Sequence, residues 1–242
     1  MSEWSWLART ELLVGSEKVE KLNRAKVMVV GLGGVGSFAA EFLGRAGIGC
    51  MAIIDGDTVD RSNKNRQLPA LDSTVGQGKA EVMAARLRDI SPEMELLVIP
   101  HFQEPDHIAR LLQQEKYDFV LDCIDSLQPK IQLITTCLQT GQPLISSMGA
   151  GGRYNPEFVR IAPLGETHHC PFAQQVRKSV RRQGLRTDFP VVFSDEATLP
   201  DSMEKTDGTR YKKSYYGTIS YMPALFGLYM ASYVIRKTMG VG

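Results

Sequence analysis

Residues 26–47 read KVMVVGLGGVGSFAAEFLGRAG. A β-rich run, Lys26 to Val30, leads into Gly31, Gly33 and Gly36, spaced G-x-G-x-x-G, and an apolar, alanine-rich helical pattern follows. A strand, a glycine turn and a helix in that order put bare backbone at a helix N-terminus, where the phosphates of a nucleotide bind. The spacing alone leaves two nucleotides open: a dinucleotide for redox work, or ATP.

Outward from this turn the pattern alternates. Residues 10–24 read as one or two short helices, 26–31 as a strand and 34–46 as its helix. Further strands are expected at 50–55, 94–99, 117–125 and 143–147, and further helices at 76–90, 105–115 and 127–140. The polar stretch 56–75 reads as loop with short helical turns. Strands alternating with helices predict an α/β fold, a doubly wound and mostly parallel Rossmann-like sheet. Its ligands belong at the carboxyl ends of the strands. After Gly149-Ala150-Gly151-Gly152 the pattern changes. Strands are expected at 158–162 and 191–193, a basic helix at 171–183, and a flexible polar loop at 195–216. The apolar segment 217–237 reads as a strand followed by a buried helix; it is close to the ~20 residues that span a bilayer, but Pro223, Gly227 and two serines argue against membrane contact. The domain reading is an ATP-binding region, 1–150, and a smaller C-terminal extension of the same domain, 151–242, for substrate binding and dimerisation.

The chain has 242 residues, 43% apolar and 23% charged, an ordinary composition for a globular protein. Its net charge of +1 hides an asymmetry. Residues 1–150 hold 15 Lys/Arg against 19 Asp/Glu; residues 151–242 hold 13 against 8. The second part is therefore the one suited to an anionic partner. The four cysteines, Cys50, Cys123, Cys137 and Cys170, form no C-x-x-C, which excludes a zinc knuckle or disulfide framework. The N-terminus lacks the pattern of a signal peptide, so a cytoplasmic protein is expected.

Residues after the second and fourth strands separate the two nucleotides. Asp55 would accept a ribose hydroxyl under either reading. Residues 60–67, DRSNKNRQ, and Lys79 bring Asn63, Arg66 and a lysine together, more positive charge than a dinucleotide's two phosphates require. DCID, 122–125, adds acidic groups near the phosphates, where a magnesium ligand makes sense. Cations, a carboxylate and magnesium are what phosphoryl chemistry needs to stabilise developing charge.

With GLGGVG, Asp55, SNKNRQ, Lys79 and DCID in this order, the chain resembles the ubiquitin-activating-enzyme-like adenylyltransferases, the ThiF/MoeB/HesA superfamily. The resemblance implies ATP- and magnesium-dependent adenylation of a carboxylate by a dimer. It implies nucleotide contacts from Gly31, Gly33, Gly34, Gly36, Asp55, Asp57, Asn63, Arg66, Gln67, Lys79 and Asp125. Arg66, Lys79 and Asp125 take the catalytic roles, Asp125 as magnesium ligand. Arg9, in RTELLVG, matches an arginine that reaches into the partner subunit's site.

Across almost its whole length the chain resembles one branch, the tRNA threonylcarbamoyladenosine dehydratases. The residues that carry this are GKAEVMAARLRDISPE (78–93), MGAGGRYNP (148–156), PFAQQVRKSVRRQG (171–184), VVFSDE (191–196) and GTISYMP (217–223). That branch adenylates the threonylcarbamoyl carboxylate on tRNA and closes a ring with loss of water. The resemblance implies a homodimer, a cysteine desulfurase system as partner, and room for a monovalent cation beside magnesium, with no zinc. The branch has an acidic residue where this chain has Cys170. That thiol reads as an exposed nucleophile, a metal ligand with His168 and His169, or a neutral replacement.

Physical chemistry points separately to an anionic macromolecule. Arg177 and Arg181, and Lys178 and Arg182, fall on adjacent helical tracks, suited to a phosphate backbone. Lys205, Arg210, Lys212 and Lys213 decorate the polar loop, with Tyr211, Tyr215 and Tyr216 placed either to stack on unpaired bases or to pack in a dimer. Two other functions compete with the dehydratase: adenylation of a carrier protein's C-terminal glycine, and nucleotide sensing without turnover. The intact Arg66, Lys79 and Asp125 argue against the sensor.

Overall fold

The computed structural model describes residues 5–101, 105–205 and 214–241. Two helices, α1 (Ala8–Val14) and α2 (Ser16–Arg24), precede β1 (Lys26–Val30). Then come α3 (Gly36–Arg45), β2 (Cys50–Ile54), α4 (Lys79–Ile90), β3 (Glu95–Ile99), α5 (Pro105–Gln114), β4 (Phe119–Asp122), α6 (Leu127–Thr140) and β5 (Leu144–Ser147). The second part adds β6 (Val159–Pro163), α7 (Pro171–Arg182), β7 (Pro190–Ser194), β8 (Met203–Lys205), β9 (Ser214–Tyr216) and α8 (Tyr221–Met239).

Seven strands form one sheet in the order β3-β2-β1-β4-β5-β7-β6. All neighbours are parallel except β6 and β7. The chain winds outward from β1 through β2 to β3, then returns to start the other wing at β4. The β1/β4 boundary is thus the topological switch point, the crevice where such sheets bind ligands.

Successive strand residues face opposite ways. Val27, Val29, Met51 and Ile53 pack on one face against α3, α4 and α8. Met28, Val30, Ala52 and Ile54 pack on the other, in the cluster that holds α5, α6 and α7. With both faces covered, the strands read as continuous apolar runs, as in sheets covered by helices on both sides.

Two segments differ from expectation. The loop expected at 195–216 contains a short helical turn at 200–202 and an antiparallel pair, β8 with β9. This hairpin carries MEK and SYY, with no apolar alternation to betray it. Arg210, Tyr211, Lys212 and Lys213 lie outside the described residues. The strand expected from Gly217 is absent: residues 217–219 are irregular and α8 starts at Tyr221, with Pro223 in its first turn, where a missing N–H costs nothing. Among the described residues, no helix is long and apolar enough to cross a membrane.

Candidate functional site: an anion cradle at the sheet's switch point

At the end of β1, Gly31 turns the chain with φ +90°, a left-handed conformation that glycine adopts freely. Gly36 comes so close that a Cβ there would overlap the Gly31 carbonyl oxygen, and Gly34 lies against Pro223 of α8 and the Arg66 carbonyl. Gly33 differs. A Cβ added to it would meet only the Gln67 side chain, at 3.6 Å, an ordinary contact. Packing within the protein therefore does not demand glycine at 33. The Gln67 amide oxygen beside it is buried with no hydrogen-bond partner. No side chain caps α3. Bare backbone and an uncapped helix start fit a bound phosphate chain, whereas the Gln67 oxygen is an acceptor and calls for a donor.

Asp55 follows β2 and holds this loop in place. Its carboxylate accepts hydrogen bonds from the Leu32 N–H at 2.6 Å and the Asp57 N–H at 2.8 Å. Burial pushes the Asp55 carboxyl up; the Lys79 charge and the two N–H bonds offset only part of that. Lys79 opens α4 and is 5% exposed. Its ammonium pairs with Asp57 at 2.9 Å, an acid that faces solvent. Lys79 is thus a buried cation with a displaceable partner.

The 60–67 loop supplies the next wall. Asp60 and Asn63 close a capping box, in which Asp60 accepts from the Ser62 N–H and Asn63 accepts from the Asp60 N–H. The Arg66 guanidinium donates to the Ser62 carbonyl at 2.8 Å and to Asn65 at 2.7 Å. Asn65 in turn donates to the Thr218 carbonyl, tying the loop to the segment before α8. Sequence reasoning passed over Asn65, since nothing local marks a contact 153 residues away.

Asp125 is exposed beyond β4, with the Ser126 hydroxyl 3.3 Å from its carboxylate. Beneath it, Asp122 is fully buried and paired at 2.7 Å with Lys130, which is also fully buried. Lys130 was missed, because a lysine within a helix usually reads as surface. Arg9 is exposed on α1, a helix with no buried side chain, and Leu12 and Leu13 beside it are almost fully exposed.

A second cluster lies across β5 and β7. Lys178, Arg181 and Arg182 are exposed on α7 and line an open groove with Gln174 and Arg177. Arg177 has a structural task as well: its Nη1 donates to the Thr167 carbonyl at 2.7 Å and to the Thr167 hydroxyl. Cys170 is 5% exposed, and its sulfur accepts from the Ala173 N–H as the N-cap of α7. That corrects the exposed-nucleophile reading; a thiol here does what an acidic N-cap would do. His168 turns to Asp195, 2.6 Å away. Among the described residues, no three His, Cys, Asp or Glu converge on a metal site, so His168, His169 and Cys170 form no such cluster. The buried Arg153 donates to the carbonyls of Gly149, His169 and Glu196, knitting three loops at this end of the sheet.

The profile of the ThiF family matches residues 7–242. A tRNA threonylcarbamoyladenosine dehydratase of Bacillus subtilis is 39% identical over 96% of this chain and 94% of its own length. The crystal structure of the Escherichia coli tRNA N6-threonylcarbamoyladenosine dehydratase, TcdA, in complex with ATP superposes with a TM-score of 0.86 at 35% identity, covering 96% of this chain and 93% of that one. The molybdopterin-synthase adenylyltransferase of Escherichia coli is 36% identical, but over only 52% of this chain and 50% of its own.

Proposed function

The chain belongs to the ThiF family, and from that premise we propose that it uses ATP to adenylate the carboxylate of threonylcarbamoyladenosine in tRNA and then closes that group into a ring with net loss of water. The observation that supports the adenylation is the bare glycine turn at the β1/β4 switch point, which leads into an uncapped α3 and is braced by Asp55. The tRNA substrate is supported by the reach of the similarity: it spans both parts of the chain for the dehydratases and about half of it for the adenylyltransferase.

The chemistry then runs as follows. A carboxylate oxygen attacks the α-phosphorus of ATP, the bond to the bridging oxygen breaks, and pyrophosphate leaves. Lys79, released in part from Asp57, and Arg66 offset the charge that builds on the α-phosphate oxygens. Asp55 accepts a ribose hydroxyl while it braces the glycine loop. Asp125 would hold magnesium, since such sites take one or two carboxylates with phosphate and water oxygens as the other ligands; the ion would supply neutralisation of phosphate charge. In the second step a nitrogen or oxygen of the substrate attacks the acyl carbon and AMP leaves. That nucleophile is intramolecular, so the buried Cys170 needs no covalent role. Arg9 completes the partner's site in a homodimer. Lys178, Arg181 and Arg182, with the remainder of Arg177, bind tRNA phosphates.

ATP–pyrophosphate exchange tests the reading. Exchange stimulated by threonylcarbamoyladenosine-bearing tRNA, and lost in Asp125→Asn, supports it. Stimulation by a carrier protein alone overturns it in favour of carrier activation.

A further inference from the structure

We propose that the buried Asp122–Lys130 pair is a positioning device that holds Asp125 against the glycine turn; the inference rests on the adenylation reading for its functional consequence. Asp122 ends β4, Lys130 sits in the first turns of α6, and Ser146 lies on β5. All three are completely buried. Asp122 Oδ2 accepts from Lys130 Nζ at 2.7 Å and from the Ser146 hydroxyl at 2.6 Å, and Lys130 also donates to Ser146 at 3.1 Å.

Two residues of this network also bond to the connection 123–126, which carries Asp125. Asp122 Oδ1 accepts from the Ile124 N–H at 3.1 Å, and the Lys130 N–H bonds back to the Ser126 carbonyl. The opposite wall of the connection is the nucleotide turn. Cys123 donates its N–H to the Val30 carbonyl, and its own carbonyl oxygen stands 3.0 Å from where a Gly31 Cβ would be. Asp125 therefore has an exposed carboxylate on a short segment pinned at both ends and pressed against the cradle. Lys130 also places its ammonium 5.9 Å from the Phe172 ring at the start of α7.

Stability alone does not account for the arrangement. Removing two charges from water is costly, and well-packed apolar residues in place of a buried pair are often as stable or more so. What the pair provides, and an apolar filling would not, is a directed set of bonds that fixes the Asp125 backbone before ATP arrives. Such preorganisation acts on the transition state more than on ground-state binding.

The test uses the full-length protein with Asp122→Asn/Lys130→Met, which removes both charges together, alongside Lys130→Arg and the milder Ser146→Ala. Amide hydrogen exchange over 123–126 is expected to quicken by roughly tenfold or more in the double variant, while β1 and β2 stay protected. Pyrophosphate exchange is expected to lose about 100-fold in kcat with little change in the KM for ATP. Lys130→Arg restores much of it, and Ser146→Ala moves both readouts the same way by less. Unchanged amide exchange at 123–126, or a loss of activity no larger than the loss of folded protein, overturns the proposal. If the double variant does not fold, Ser146→Ala decides. If the unaltered protein catalyses no exchange, the adenylation reading fails, and the amide measurement still decides whether the pair holds the segment.

Discussion

The nucleotide end and the basic end of the molecule are built by different physics. At β1, β2 and β4 the site is made largely of backbone: a glycine turn in which Gly34 and Gly36 leave no room for a larger residue, a helix start, and an Asp55 that accepts two N–H bonds. At β5 and β7 it is made of long side chains. Arg153 spans three loops through carbonyl oxygens, Arg177 ties Thr167, and Lys178, Arg181 and Arg182 stand in solvent. A backbone site constrains its own sequence and leaves a spaced motif. A side-chain site can be assembled from scattered positions, and its chemistry appears in the sequence only as net charge.

The largest test of this contrast is on the cations of the cradle. Lys79→Ala or Arg66→Ala is expected to lower pyrophosphate exchange about 10²–10³-fold, the usual consequence of removing one group that stabilises transition-state charge, while tRNA binding measured by filter retention stays unchanged. On the other end, replacing Lys178, Arg181 and Arg182 together by Gln is expected to leave the KM for ATP alone and weaken tRNA binding. The slope of log affinity against log salt should fall by about 2–3, near one per lost phosphate contact. If the triple variant instead alters ATP use, the two ends are not separable and the contrast breaks.

The glycines sharpen the comparison within the cradle. Gly33→Ala is expected to fold normally, since its Cβ has room against the protein, and to weaken ATP about tenfold by calorimetry, ~1.4 kcal/mol. Gly36→Ala is expected to fail in the opposite way: overlap with the Gly31 carbonyl destabilises the fold by about 1–3 kcal/mol, read as a lower Tm. Equal effects of the two on stability would contradict the reading of Gly33 as a ligand-facing position.

Much of this was legible in advance, and for specific reasons. The β1–Gly31–α3 turn, Asp55 and the bounds of α6 follow from strand, turn and helix periodicity, which local chemistry sets. The hairpin of β8 and β9 was not legible, because its two strands are short, polar and held at their root by Gly217 bonds to Gly152 and Ser202. Lys130 and Arg153 were also hidden. A buried cation is recognisable only by its partners, and those are a carboxylate and a serine on two strands for one, and backbone carbonyls for the other. Cys170 was readable as an oddity but not as an N-cap, since a reactive and a capping thiol look alike without burial.

A smaller effect is expected far from either end. Glu41 of α3 binds Arg86 of α4 through two hydrogen bonds and Arg45 through a third. Burial raises its pKa, but the bonds to Arg86 and Arg45 outweigh that and hold the carboxyl below its ordinary 4.5. A carboxyl with a depressed folded-state pKa adds stability above its unfolded value and loses it as pH falls through the folded one. Glu41→Gln should therefore lower Tm by a few degrees, ~1–2 kcal/mol, at neutral pH, and the gap between the two proteins should close as the pH drops below 4.5. A gap that is constant with pH would mean that packing, not charge, is what Glu41 contributes.

The central claim is that the cradle and the basic end act on one tRNA-borne carboxylate. The most direct measurement is mass analysis of nucleosides from threonylcarbamoyladenosine-bearing tRNA after incubation with the protein, ATP and magnesium, with AMP counted in parallel. The account predicts a nucleoside lighter by one water and one AMP released for each ring closed. An unchanged nucleoside, with AMP appearing on a carrier protein's C-terminus instead, would contradict it.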